Sequence, residues 1–157
     1  MTRAVQVDIE ASPRAVWQLV ADAGSYPLWM PEIARTEPAT ISERDASVGT
    51  RFRLILASRR AGKKRRLLFG EVRAHAPCRL HGFRLETGRY HIDVLYTLTP
   101  MGTGTRLSAE LHFVPEALIA RLLAPFVRRR LLRLAARHLT ALKRHSEDVA
   151  AGLEGEG

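Results

Sequence analysis

Val5, Val7 and Ile9 alternate with Gln6, Asp8 and Glu10, the two-residue period of a strand with one buried face. Ser12-Pro13 follows, with Ser12 suited to a helix N-cap and Pro13 to the first helical position. Val16, Leu19, Val20 and Ala23 then recur at helical spacing beside Trp17, and Gly24 supplies a stop. The stretch Tyr26 to Pro31 is short, aromatic and bracketed by prolines, which predicts a second small helix or turn closing over something apolar. From residue 34 to 114 the pattern predicts strands near 34–43, 50–58, 64–75, 78–86, 90–99 and 104–113. Asp45 to Gly49, Ala61-Gly62, Ala76-Pro77, Thr87-Gly88 and Pro100 to Gly104 punctuate them. Connections this short favour antiparallel pairing.

Glu116 opens a helical stretch expected to end near Asp148, with a kink at Pro125. At about 100° per residue, Val127, Leu131, Leu134, Ala135, Leu139 and Leu142 share one arc. Arg129, Arg130, Arg133, Arg137 and Arg144 share the opposite one. His138 lands inside the apolar arc and His145 at its margin. The pattern is therefore α+β: a strand, one or two short helices, six strands and one long helix. Seven strands need their apolar face covered, and only the last helix is long enough to cover it.

Within the strands, alternation turns Phe52, Leu54 and Leu56 inward and leaves Arg51, Arg53 and Ile55 outward. Val94, Tyr96 and Leu98 form a second inward set. Leu107, Ala109, Leu111 and Phe113 form a third. Tyr96 would then offer a hydroxyl within an otherwise apolar wall. Tyr26 and Trp29 are placed to cap the mouth of such a space. The candidate ligand-binding residues are accordingly Tyr26, Trp29, Phe52, Leu54, Tyr96, Phe113, Leu131, Leu134 and His138.

At 157 residues and 17.6 kDa the chain has the size of one domain, expected over 1–149, with a Gly/Glu-rich tail at 150–157 expected to be disordered. A single cysteine, Cys78, excludes an internal disulfide. No run of apolar residues is long enough for a membrane span. The acidic, alternating N-terminus is unlike a signal peptide, so a cytoplasmic location is expected.

The net charge of +9 is concentrated. Residues 59–66 carry six basic groups and residues 121–144 carry eight, with no acid in either. The remainder holds 11 basic against 16 acidic groups. Such patches attract phosphate, so an anionic membrane surface is an expected partner. Nucleic acid is a weaker expectation, because only Phe52 and Phe69 stand near the basic hairpin to stack on bases.

Familiar chemistry is sparse. The spacings of zinc sites, P-loops, nucleophile elbows and dinucleotide folds are all absent, so no metal and no cofactor are expected. His91 with Asp93, and Glu110 with His112, each share a strand face as acid/base pairs do, yet alternation sends both pairs outward. Cys78 sits at a turn with no partner suggested, which reads as inert. No catalytic residue is assigned.

The order and spacing of several cues resemble the START/Bet v 1-like (SRPBCC) superfamily, and within it the bacterial polyketide cyclase/dehydrase and coenzyme Q-binding group. The cues are Ile9 to Trp17, Val20-Ala-Asp22, Tyr26-Pro-Leu-Trp29 with Pro31, Val48 to Arg51, Tyr96 to Pro100, Gly104 to Leu107 and Leu142-Lys143. The resemblance covers roughly residues 3–148. The resemblance implies a helix-grip fold, in which a curved seven-stranded antiparallel sheet wraps the long C-terminal helix around an apolar cavity. It implies a small hydrophobic ligand, such as a lipid, quinone or polyketide, held by a carrier or chaperone. An aromatase/cyclase or dehydratase, and a basic RNA- or ribosome-associated protein, are the alternatives.

Overall fold

The computed structural model describes residues 3–37, 47–57 and 66–155. The basic segment 59–65 and part of the strand expected over 34–43 lie outside the described residues. Seven strands form one sheet: β1 (Arg3–Ile9), β2 (Ile33–Glu37), β3 (Arg51–Leu56), β4 (Leu67–Ala76), β5 (Leu80–Glu86), β6 (Tyr90–Met101) and β7 (Gly104–Pro115). Their order is β1-β7-β6-β5-β4-β3-β2, and every neighbouring pair is antiparallel. Consecutive strands from β2 to β7 are joined as a meander. β1 returns to the far edge beside β7, where Ile9 pairs with Thr105.

Two short helices follow β1. α1 (Pro13–Ala21) starts where Ser12 accepts a hydrogen bond from the Ala15 amide at 3.2 Å. It stops at Ala21, two residues before the expected end. There the Asp22 carboxylate accepts the Gly24 amide at 2.9 Å and turns the chain into a single 3-10 turn. α2 (Tyr26–Trp29) is the small helix expected of the proline-bracketed segment.

The long helix α3 runs from Leu118 to Gly155, 38 residues, or about 57 Å if straight. It passes through Pro125 without ending. It also runs past Asp148 into part of the stretch expected to be a disordered tail. Ala150 and Ala151 are strong helix formers, and Gly152 costs only about 1 kcal/mol. The chain is thus an α+β helix-grip fold, with a curved open sheet against α3.

The core lies between the inner sheet face and the helices. α3 packs on β1 and β7 and meets both α1 and α2. Trp17, Tyr26, Trp29, Val16, Val20, Leu107 and Leu142 are fully buried there. Each such side chain contributes roughly 1.5–3 kcal/mol of burial free energy. Phe52, Leu54, Val94, Tyr96, Leu98, Leu107, Ala109 and Phe113 are buried, as alternation requires. Ile55 departs from that pattern, being buried although expected outward. It sits inside the ladder rather than at an edge, flanked in register by Arg35 and Leu67.

Candidate functional site

A cavity of about 130 Å³ lies between the sheet and α3. β3 contributes Leu54 and Leu56, β5 contributes Phe83 and Leu85, and β6 contributes Ile92, Val94 and Tyr96. In each strand these residues are two apart, so the pleat delivers them to one face. Leu131, Leu134, Ala135 and His138 come from α3 at three- and four-residue spacing, which stacks them along one stripe. Met30 and Glu32, from the turn after α2, and Ile33, at the start of β2, close the space. Three of the lining residues are polar: Glu32, Tyr96 and His138.

His138 Nε2 lies 2.7 Å from a carboxylate oxygen of Glu32. Both are partly buried, with side-chain exposures of 13% and 30%. Tyr96 is buried, and burial pushes its phenol well above the ordinary range, so it stays protonated. It can donate a hydrogen bond to a ligand oxygen but cannot serve as a base near neutral pH.

Five of the nine candidate residues line this cavity: Leu54, Tyr96, Leu131, Leu134 and His138. Tyr26, Trp29, Phe52 and Phe113 do not. Tyr26 and Trp29 are fully buried, so they form part of the core rather than a cap at a mouth. Tyr26 packs edge-on against Trp29 and Phe52. Trp29 stands directly behind the cavity wall, its ring 5.7 Å from Tyr96 and 6.3 Å from His138. Its indole N–H is buried without a hydrogen-bond partner among the described residues. Phe113 packs on Tyr90 instead.

Glu32 had no signal in the sequence. It is a lone acid after a proline, and only the fold brings it to a residue 106 positions away. Phe83, Leu85, Ile92, Val94 and Leu111 are lining residues that alternation places inward but cannot rank above their neighbours.

Of the two strand pairs with acid/base spacing, the members of the first, His91 and Asp93, pair with other residues. Asp93 receives a two-pronged contact from Arg84 at 2.7 and 3.1 Å on the outer sheet face. His91 Nδ1 lies 2.9 Å from Glu116. Wider grooves of about 780 and 540 Å³ run along that outer face. They are lined by Arg51, Arg53, Arg73, Glu71, Glu86 and the Arg84–Asp93 pair, a charged and solvated surface. The small inner cavity is the apolar one with few converging polar groups, which is the signature of a ligand site. Among the described residues no group of three or more His, Cys, Asp or Glu side chains is placed to hold a metal ion. Nor is any described helix long and apolar enough to cross a membrane.

The sequence model of the polyketide cyclase/dehydrase and lipid transport family matches residues 2–147. The chain belongs to that family. No curated protein matches it. Solved structures do, at identities that establish the fold alone. A Thermus thermophilus protein is 19% identical with a TM-score of 0.71, over 96% of this chain and 99% of that one. A START superfamily protein from Mycobacterium smegmatis is 17% identical with a TM-score of 0.73, over 94% and 98%. The di-domain ARO/CYC protein of the steffimycin biosynthetic pathway is 13% identical with a TM-score of 0.74, over 96% of this chain and 51% of its own. Family and fold together place this member of the polyketide cyclase/dehydrase and lipid transport family among hydrophobic-ligand-binding and polyketide-cyclase-like proteins.

Proposed function

We propose that the protein binds a small hydrophobic ligand in the sheet–helix cavity and acts as its carrier or chaperone. The observation that supports this reading is the apolar lining interrupted by Glu32, Tyr96 and His138. At about 130 Å³ the cavity is smaller than a drug-sized site of roughly 300–1,000 Å³. It has room for a short alkyl end, or for one aromatic ring of a larger ligand such as a naphthoquinone whose second ring stays outside. Tyr96 would orient a ligand carbonyl or hydroxyl, and the aliphatic wall would hold the ring.

The test is native mass spectrometry of gently purified protein, followed by extraction and titration with a naphthoquinone. A stoichiometric apolar passenger, or saturable naphthoquinone binding, is the expected result. Ala135→Phe, which fills the space from α3, should weaken that binding at least about tenfold. Binding unchanged by Ala135→Phe would remove the cavity from the account.

The Glu32–His138 pair favours a second reading, a cyclase or dehydratase acting on a polyketide-like substrate. The pair would move the proton of an enolisable carbon while Tyr96 holds the adjoining oxygen. Turnover that disappears in His138→Gln while naphthoquinone binding persists would favour the enzyme. A passenger released chemically unchanged favours the carrier.

A further inference from the structure

The first two and a half turns of α3 expose a set of large apolar side chains on one face. Leu118, Ile119, Leu122 and Phe126 are 71–73% exposed and Leu123 is 49% exposed. The helix is nevertheless seated. Ala124 is buried, Val127 packs against the core, and Arg128 donates to the Phe113 carbonyl at 3.4 Å. The amides of Glu116 and Ala117 both reach the Arg89 carbonyl, pinning the start of α3 to the β5–β6 turn. The exposed side chains therefore point away from a fixed inner face.

At about 100° per residue, taking Leu118 as zero, the five apolar residues occupy an arc from about 0° to 140°. Arg129, Arg130, Arg133 and Arg137 fall between about 20° and 120°, on the same arc one to three turns further along. All four are exposed. From Leu118 to Ser146 the helix carries no acidic residue. One face of one rigid helix thus reads as a hydrocarbon-seeking end followed by a row of guanidinium groups. A surface of either kind alone has many explanations. In this order, at this spacing, they match the two layers of a lipid leaflet: acyl chains for the leucines and phenylalanine, phosphates for the arginines.

We propose that the outer face of α3, from Leu118 to Arg137, docks on an anionic phospholipid bilayer, with Leu122 and Phe126 entering the acyl region. The inference goes beyond the cavity reading and needs no loaded cavity. If both hold, Leu131, the first cavity-lining residue on α3, lies only about 12 Å along the helix from Leu123 at the bilayer surface.

The experiment is co-sedimentation of the full chain with vesicles of phosphatidylcholine alone and of phosphatidylcholine mixed with phosphatidylserine. Binding should favour the mixed vesicles and weaken as salt is raised. Leu122→Asp with Phe126→Asp should lower it at least about tenfold, because both side chains must leave the acyl layer. Arg130→Gln with Arg133→Gln should erase the preference for phosphatidylserine. Phe126→Trp provides a gain of signal, since brominated lipid in the mixed vesicles should quench the new indole. Three results would overturn the proposal: no sedimentation with mixed vesicles, sedimentation indifferent to the apolar substitutions, or no quenching of the indole at position 126. A fourth is a native mass of two chains that falls to one in the Leu122→Asp/Phe126→Asp variant. That would show the face joins copies of the protein instead.

Discussion

His138 on α3 and Glu32 on the turn before β2 meet at 2.7 Å in the lining of the helix–sheet cavity. The contact ties the middle of the long helix to the segment that follows α2, and it sets one polar pair against the apolar cavity wall. Glu32→Ala should cost about 1–2 kcal/mol, since it removes a partner from a half-buried imidazole. Glu32→Gln, which can still accept, should cost less. Denaturant unfolding of the two variants beside His138→Ala, arranged as a double-mutant cycle, measures the coupling. A coupling near zero would mean that the pair adds nothing to the fold.

Gly70 on β4 lies under the ring of Phe52 on β3, its register partner. A Cβ built at position 70 would stand 2.3 Å from two carbons of that ring. Phe52 is 3% exposed and packs edge-on against Phe83 at 5.7 Å, so it has little room to yield. Gly70→Ala should therefore destabilise the protein by about 1–3 kcal/mol, the usual cost of overpacking. Phe52→Leu should recover part of the loss in the double variant. A thermal midpoint unmoved by Gly70→Ala would contradict this account.

His81 on β5 is 1% exposed, with Trp17, His75 and Phe83 around it. Burial, with a smaller push from His75, lowers its pKa from 6.5 to about 4. As pH falls, the unfolded chain takes up this proton first. The stability that neutral His81 contributes is whole above about pH 6.5 and lost progressively down to about pH 4. The loss should total about 3 kcal/mol. Unfolding free energies measured across that window should slope downward with acid in the wild type and be flatter in His81→Gln. Parallel slopes would show that another group carries the acid sensitivity.

Thr105 donates its hydroxyl to the Ala11 carbonyl at 2.8 Å and is 1% exposed. This buried bond fastens the chain leaving β1 to the start of β7. Thr105→Val keeps the shape and strands the carbonyl, so a cost of about 1–3 kcal/mol is expected. Thr105→Ser should retain most of the stability. Equal midpoints for the valine and serine variants would mean the hydroxyl is dispensable.

Much of the architecture was legible in local patterns. Alternation marked the strands because a pleated chain alternates its faces, and Ser12-Pro13 marked the start of α1 because both residues suit an N-terminus. Where the reading missed, either the balance of local propensities or long-range packing decided the outcome. The end of α3 moved from Asp148 to Gly155 because helix-forming residues outweighed one glycine. Tyr26 and Trp29 look like a lid in sequence, but in the fold they are drawn wholly into the core by packing against Phe52, Phe83 and Tyr96.

Periodicity, turn residues and length by themselves determined the element order, the inner and outer faces of most strands, and the two opposed faces of the last helix, because each is a property of neighbours along the chain. The tertiary structure alone decided that Glu32 faces His138, that Asp93 and His91 take separate partners, and that the cavity holds only about 130 Å³. Those outcomes depend on how strands and helix are stacked in space, between residues up to 106 positions apart, and no local period encodes that distance.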